Sequence, residues 1–284
     1  KWKTIVKVVL PTSIAGIITG IVLAIARVIG PTVLGSEVRN LNRITDRIQK
    51  SIVRNFSAKA AVEIAVYDLF GQLYEAPIYR LLGGGDAVIT TDITISVDYI
   101  DKMVEDARAA VEAGFETLKV KVGKDPALDI ERIKAIHAAV GDRALIRLDA
   151  NQGWTPKQAV AALRALEDSG VLLELVEQPV RGEDITGLKY VTDRVTTPVM
   201  ADESSFGPRE CIELINMRAA DIINIKLMKT GGISNAVRVA DIAGVYGAEC
   251  MIGCMLESSI GVAAAAHIAA AKSSVITKVD LDTP

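Results

Sequence analysis

Histidine is scarce in this 284-residue chain: only His137 and His267 occur, and both fall inside segments of helical pattern. Any acid, base or metal ligand must therefore come mainly from lysine and carboxylate. The three cysteines, Cys211, Cys250 and Cys254, form neither a paired framework nor a zinc spacing, which suits a reducing cytoplasm. Basic clusters are absent and the net charge is -3, which argues against nucleic acid as the partner. No glycine-rich phosphate turn follows the first strand-like segment, and this counts against an open doubly wound sheet. What is present is a chain that is 50% hydrophobic and long enough to bury a large core.

From Val8 to Ala26 the sequence carries no charge, which on length alone raises a membrane span. Pro11, Thr12, Ser13, Gly16, Thr19 and Gly20 dilute the run, and Ser13 reads as the N-cap of a helix ending near Gly30-Pro31. The expectation is a buried or partner-packed helix, with membrane contact as the lesser alternative. No small-residue cleavage site clearly follows the basic start Lys1-Trp-Lys-Thr. Two helices are expected next, over 37–53 and 57–74. In the second, Ala61, Ile64, Ala65, Leu69 and Leu73 recur at helical spacing, with Asp68 as a polar interruption. Pro77 and Leu82-Gly-Gly-Gly85 close this region.

Beyond Thr90 strand and helix patterns alternate. Strands are predicted over 91–97, 117–122, 144–149, 174–177, 199–202, 221–226, 249–252 and 275–281. Helical patterns lie between them, among them 127–140, 156–169, 208–217 and 234–246, several opened by proline or a capping residue. Each parallel return needs a crossover, so eight strands with seven intervening helices predict an α/β fold, a TIM-like (β/α)7β parallel barrel. The division expected is 1–88 as a mostly helical, partial capping region and 89–284 as the barrel.

The stretch Thr117-Leu-Lys-Val-Lys-Val-Gly123 carries two lysines on an otherwise apolar strand. Alternation puts Lys119 and Lys121 on one face and Leu118, Val120 and Val122 on the other, so the lysines point into whatever the strand helps to enclose. Two interior cations require anions or a chemical task. On the barrel map Asp149, Glu177 and Asp202 close the third, fourth and fifth strands, and Lys226 closes the sixth. All these ends gather at the face where such barrels keep their active sites. Three converging carboxylates repel one another unless a cation joins them, and an oxygen-only set favours a hard ion such as Mg2+. Lys121 and Lys226 would flank that ion from opposite sides, a geometry suited to taking a proton from one face of a carbon and returning one to the other. A lysine near other cations has a lowered pKa and can serve as a base near neutral pH. Each acid taken singly could equally be a helix cap or a solvated loop carboxylate.

The motifs Leu118-Lys-Val-Lys-Val-Gly123, Asp149-Ala-Asn151, Glu177-Gln-Pro179, Ala201-Asp-Glu-Ser204 and Asn224-Ile-Lys-Leu-Met-Lys-Thr-Gly-Gly232 together resemble the enolase superfamily in its muconate lactonizing enzyme subgroup, over roughly residues 57–284. The resemblance implies that Asp149, Glu177 and Asp202 bind magnesium, that Lys121 and Lys226 are the acid/base pair, and that Lys119 sits beside the substrate carboxylate. The resemblance likewise implies lysine acid/base chemistry with an enolate stabilised by Mg2+. The ending Val279-Asp-Leu-Asp-Thr-Pro284 resembles the Asp-x-Asp with which dipeptide epimerases hold a free ammonium group. Asp280 and Asp282 share a face and can bracket one cation. Thr94, in Asp92-Ile-Thr-Ile-Ser96, and Cys254, in Gly253-Cys-Met255, match positions that line the family's substrate pocket.

The expectation is a Mg2+-dependent dipeptide epimerase of the cytoplasm that inverts the Cα of the C-terminal residue, with a small-molecule dipeptide as partner and a homo-oligomer left open. Three other activities use a similar lysine pair: N-acylamino acid racemase, muconate cycloisomerase and o-succinylbenzoate synthase. Their substrates offer no ammonium to Asp280 and Asp282. A non-catalytic barrel scaffold is the alternative of a different class. Relatives carry a strand-rich α+β cap ahead of the barrel and continue past the eighth strand, so the expectation here is a cap that is either reduced or only partly contained in this sequence.

Overall fold

A computed structural model describes residues 28–85 and 88–282 of the chain. The helix expected across the uncharged stretch 8–26 lies outside them. A short 3-10 turn (Gly30–Thr32) precedes two helices, α1 (Leu41–Ser51) and α2 (Phe56–Leu73), followed by a single turn, α3 (Ile78–Leu81). The barrel then runs β1 (Ile93–Ile95), α4 (Ile100–Glu112), β2 (Thr117–Lys121), α5 (Pro126–Val140), β3 (Leu145–Asp149), α6 (Pro156–Glu167), β4 (Leu173–Glu177), α7 (Ile185–Thr192) and β5 (Val199–Ala201). It continues α8 (Pro208–Met217), β6 (Ile222–Lys226), the single turn α9 (Leu227–Thr230), α10 (Ile233–Tyr246), β7 (Glu249–Gly253), α11 (Ser259–Ala271) and β8 (Ile276–Asp280).

The strands are parallel and lie in sequence order, as the alternation predicts. Helix starts follow the local chemistry. Proline opens α5, α6 and α8, and Thr155 and Gln158 form a reciprocal capping box at α6, a cap of a kind that contributes about 1 kcal/mol. The outward side chains of the strands, including Leu118, Val120, Ile146, Leu148, Val176, Ile223, Ile225 and Ile252, are buried in one core with the surrounding helices. Burying each such aliphatic side chain stabilises the fold by roughly 1.5–3 kcal/mol. A smaller cluster of Leu175, Met200, Ile222 and Met251 lies on the inward face, below the strand ends that form the site.

Between β8 and β1 side chains replace ladder bonds. Thr94 N–H donates to Asp282 Oδ2 at 2.6 Å, and Leu281 N–H donates to Thr91 Oγ1 at 2.8 Å. Asp92 N–H reaches the Val279 carbonyl at 3.4 Å. Below this seam Arg147, buried inside the barrel, donates to Asp92 Oδ2 at 2.7 Å and to the Val279 carbonyl at 3.1 Å, and pairs with Glu174.

One expectation about α2 is corrected. Of its predicted apolar stripe only Ile64 is buried; Ala61, Ala65, Leu69 and Leu73 are exposed. The buried positions are Ala58, Lys59, Ala60, Glu63, Ile64, Val66, Tyr67 and Gly71. Hydropathy misplaces the face because two of its members are charged residues with internal partners: Lys59 Nζ donates to the Gln49 carbonyl at 2.8 Å, and Glu63 accepts from Gln49 and Ser234. Among the described residues no helix is long and apolar enough to cross a membrane.

Candidate active site

Strand register sets the site. Lys121 pairs with Asp149 and Asp149 with Glu177, which aligns the ends of β2, β3 and β4; across the barrel Lys226 pairs with Gly253 and Gly253 with Asp280. Asp202 follows β5 by one residue instead of closing it, because that strand ends at Ala201. Thr94 and Lys119 pair on β1 and β2. These ends enclose a cavity of about 810 Å³ lined by Thr94, Lys119, Lys121, Asp202, Lys226, Cys254, Asp280 and Asp282, among others. Asp149 and Glu177, each 1% exposed, lie beneath its floor. The structure thus brings all ten of the sequence-derived residues to one end of the barrel.

Lysine ammonium groups link the acids. Lys119 Nζ sits 2.6 Å from Asp280, 2.8 Å from Glu177 and 3.0 Å from Asp149. Lys121 Nζ donates to Asp149 Oδ2 at 2.6 Å and to Asn151 Oδ1 at 3.0 Å. Lys226 Nζ lies 2.8 Å from Asp202 and 3.9 Å from Glu177. Asn224 Nδ2 donates to the same Glu177 oxygen, Oε1, at 2.7 Å, while Lys119 meets Oε2.

Burial and these neighbours set the protonation of the group. Burial pushes Glu177 up to about 8; Lys119 opposes this, while Asp149 and Asp202 add to it. Burial would also raise Asp149 and Asp202, but lysines outweigh it and hold both below the usual carboxylate range. Lys226 departs from the expectation of a lowered pKa. Burial pulls it down, yet Asp202 and Glu177 prevail and it stands at about 12. The neighbours that decide its titration here are carboxylates.

Asp149, Glu177 and Asp202 provide a buried, oxygen-only donor set at or just beyond the ends of three adjacent strands. That chemistry fits a hard divalent cation. A second acidic group, Asp92, Asp280 and Asp282, has carboxylate oxygens within 4.8 Å of one another. Its members are held by protein donors, Arg147 on Asp92, Lys119 on Asp280 and the Thr94 N–H on Asp282, and they tie the barrel seam together.

Several contributors escape a reading by residue spacing. Lys229, fully buried within the turn after β6, donates to the Asp202 carbonyl at 2.6 Å and to the Asn224 carbonyl at 3.1 Å, and also meets the Asp202 carboxylate. Gln178 Oε1 accepts the N–H groups of Asp202 at 2.8 Å and Ser204 at 3.1 Å, fixing the loop that carries the third acid. Lys229 and Gln178 fall inside the quoted motifs, but their roles depend on contacts across strands. The apolar wall of Phe56, Phe206, Met228, Met255 and Leu256 carries no comparable sequence signal.

Comparison with known proteins agrees with this architecture. Residues 7–83 match the family described as mandelate racemase / muconate lactonizing enzyme, N-terminal domain, and residues 102–283 match the enolase C-terminal domain-like family. The chain is 51% identical over 274 residues to an L-Ala-D/L-Glu epimerase of Clostridium acetobutylicum, covering 95% of this chain and 76% of the relative. Its fold is similar to a substrate-liganded complex of the L-Ala-D/L-Glu epimerase from Bacillus subtilis, with a TM-score of 0.90, 49% identity, and coverage of 92% of this chain and 73% of that one. It is also similar to a dipeptide epimerase from Enterococcus faecalis complexed with Mg and the dipeptide L-Leu-L-Tyr, with a TM-score of 0.89, 48% identity, and coverage of 92% and 73%. The chain belongs to the enolase superfamily, in its mandelate racemase and muconate lactonizing enzyme group.

Proposed function

We propose that this protein is a magnesium-dependent dipeptide epimerase that inverts the Cα of the C-terminal residue, one of Lys121 and Lys226 taking its proton and the other delivering a new one to the opposite face. The supporting observation is the joint presence, around one cavity, of this lysine pair and the Asp280–Asp282 acids. Asp149, Glu177 and Asp202 would hold Mg2+, which when bound supplies positive charge to the substrate carboxylate. Lys119 stands next to the same acids and adds a further cation where negative charge develops. One lysine removes the Cα proton and the other delivers a proton to the opposite face. Asp280 and Asp282 receive the free ammonium, so both ends of the dipeptide are held while the Cα lies between the bases; such positioning contributes several kcal/mol, on the order of 7 or more in favourable cases. Residues 28–85 act as a helical capping region on the barrel formed by 89–282, and Thr94 and Cys254 line the wall nearest the substrate.

The test is incubation of the protein and magnesium in deuterium oxide with L,L-dipeptides and with their N-acetyl derivatives. The reading predicts a one-deuteron mass gain and formation of the second epimer from free-amine dipeptides. Faster exchange of the acetylated compounds would favour an N-acylamino acid racemase, and no exchange from either set would favour a binding scaffold.

A further inference from the structure

The turn that follows Lys226 is clamped from outside the barrel. It consists of α9 and the pair Gly231-Gly232, and it leads directly into α10. Gly231 and Gly232 have φ of 78° and 129°, and both their N–H groups donate to the Leu227 carbonyl at 3.0 Å, so the chain reverses tightly. A Cβ on Gly232 would come within 2.6 Å of the Glu63 carboxyl carbon, so the backbone packs directly on that side chain.

Glu63 comes from α2 and is 0% exposed. Its Oε1 accepts the Ser234 N–H in the first turn of α10, a helix with no capping side chain of its own. A carboxylate at a helix N-terminus satisfies an orphan donor and opposes the helix dipole favourably. Its Oε2 accepts from Gln49 Nε2 at 2.8 Å, and the same nitrogen donates to the Gly231 carbonyl at 2.7 Å. Phe56 rests against Gly231 from the same side. At the other end of the turn, Lys229 ties it to Asp202 and Asn224. The Lys226 backbone is thus the last residue of a strand on one side and the start of a clamped turn on the other.

We propose that Glu63 and Gln49 are positioning residues for Lys226, fixing the height and direction of its ammonium group through the Gly231-Gly232 turn. Lys121 sits on β2 and is held by Asp149 and Asn151, with no contact to this clamp. The clamp therefore acts on one side of the substrate carbon only. This rests on the assignment of Lys226 as one of the two proton carriers.

The experiment measures Cα hydrogen exchange in deuterium oxide, at saturating magnesium, separately from the L,L and L,D forms of one dipeptide. A Lys226→Ala variant identifies the configuration that Lys226 serves. Glu63→Gln keeps the shape of the side chain but turns an N–H2 toward a donor, and Gln49→Met removes the bridge while leaving Glu63 in place, so the second variant serves if the first melts too early to assay. Each should slow exchange from the Lys226-dependent configuration by about tenfold or more, in line with the sensitivity of proton transfer to small misplacements, and leave the other within about twofold. Equal slowing of both configurations, or of neither, overturns the proposal while leaving the function standing. Absence of exchange in the unaltered protein overturns both.

Discussion

Lys229 Nζ lies 2.6 Å from the backbone carbonyl of Asp202 and also meets its carboxylate, so one buried ammonium holds the proposed metal ligand Asp202 at two points. Residue spacing alone suggests that removing one of three mutually repelling acids should be easy on the fold. The buried lysine reverses that for Asp202, because the ammonium would be left without a counter-charge. Asp202→Asn is expected to lower unfolding free energy by about 3–5 kcal/mol in the absence of magnesium. Urea denaturation of the two proteins measures this. A change below about 1 kcal/mol would mean that Lys229 does not depend on Asp202.

Asp92 gives the stability a pH dependence of defined sign. Its carboxyl is pushed up to about 8, first by burial and then by Asp280, with Arg147 pulling the other way. An aspartate in the unfolded chain titrates near 3.8. Between these values the folded protein retains a proton that the unfolded chain releases. The contribution is therefore whole below the lower value and is lost as the pH rises through the upper one. Asp92→Asn keeps an acceptor for Arg147 and removes the titration. Denaturation midpoints of the unaltered protein should fall more steeply than those of the variant between about pH 5 and about pH 8. Parallel pH profiles would contradict this.

The Asp282 carboxylate has two tasks in this account, accepting the Thr94 N–H at the barrel seam and receiving the substrate ammonium. Asp282→Asn keeps an acceptor for Thr94 and loses the charge. It should weaken binding of a free-amine dipeptide by roughly 2 kcal/mol, about thirtyfold, and leave an analogue lacking the amine nearly unchanged. Calorimetric titration of both ligands in the presence of magnesium makes the comparison. Equal weakening of the two would assign Asp282 to the seam alone.

The barrel was legible because its signals are local. Apolar strands with alternating or continuous burial, prolines at helix starts and the capping residue at Thr155 each act within a few residues, and β2 announces its two faces through Lys119 and Lys121. The convergence of Asp149, Glu177, Asp202 and Lys226 followed from topology, since parallel strands carry their ends to one face. What stayed hidden depends on partners far along the chain. Glu63 and Lys59 look like solvent-facing residues of α2 until Gln49 and Ser234 are brought to them, which is why the helix face was misread. Arg147 within β3 gives no sign by itself that Asp92 and Glu174 will enclose it. The sequence reading sets Lys226 among cations, and only the side-chain contacts put Asp202 and Glu177 beside it.

The two-lysine assignment is tested most directly by following Cα hydrogen exchange in deuterium oxide, from each configuration of one dipeptide separately, in Lys121→Ala and in Lys226→Ala. Each variant should lose epimerisation altogether and keep exchange from one configuration only, with the surviving configuration opposite in the two. Arginine at either position should fail in the same way, since it does not release its proton near neutral pH. Exchange from both configurations at equal rates in either variant would contradict a mechanism in which Lys121 and Lys226 serve opposite faces.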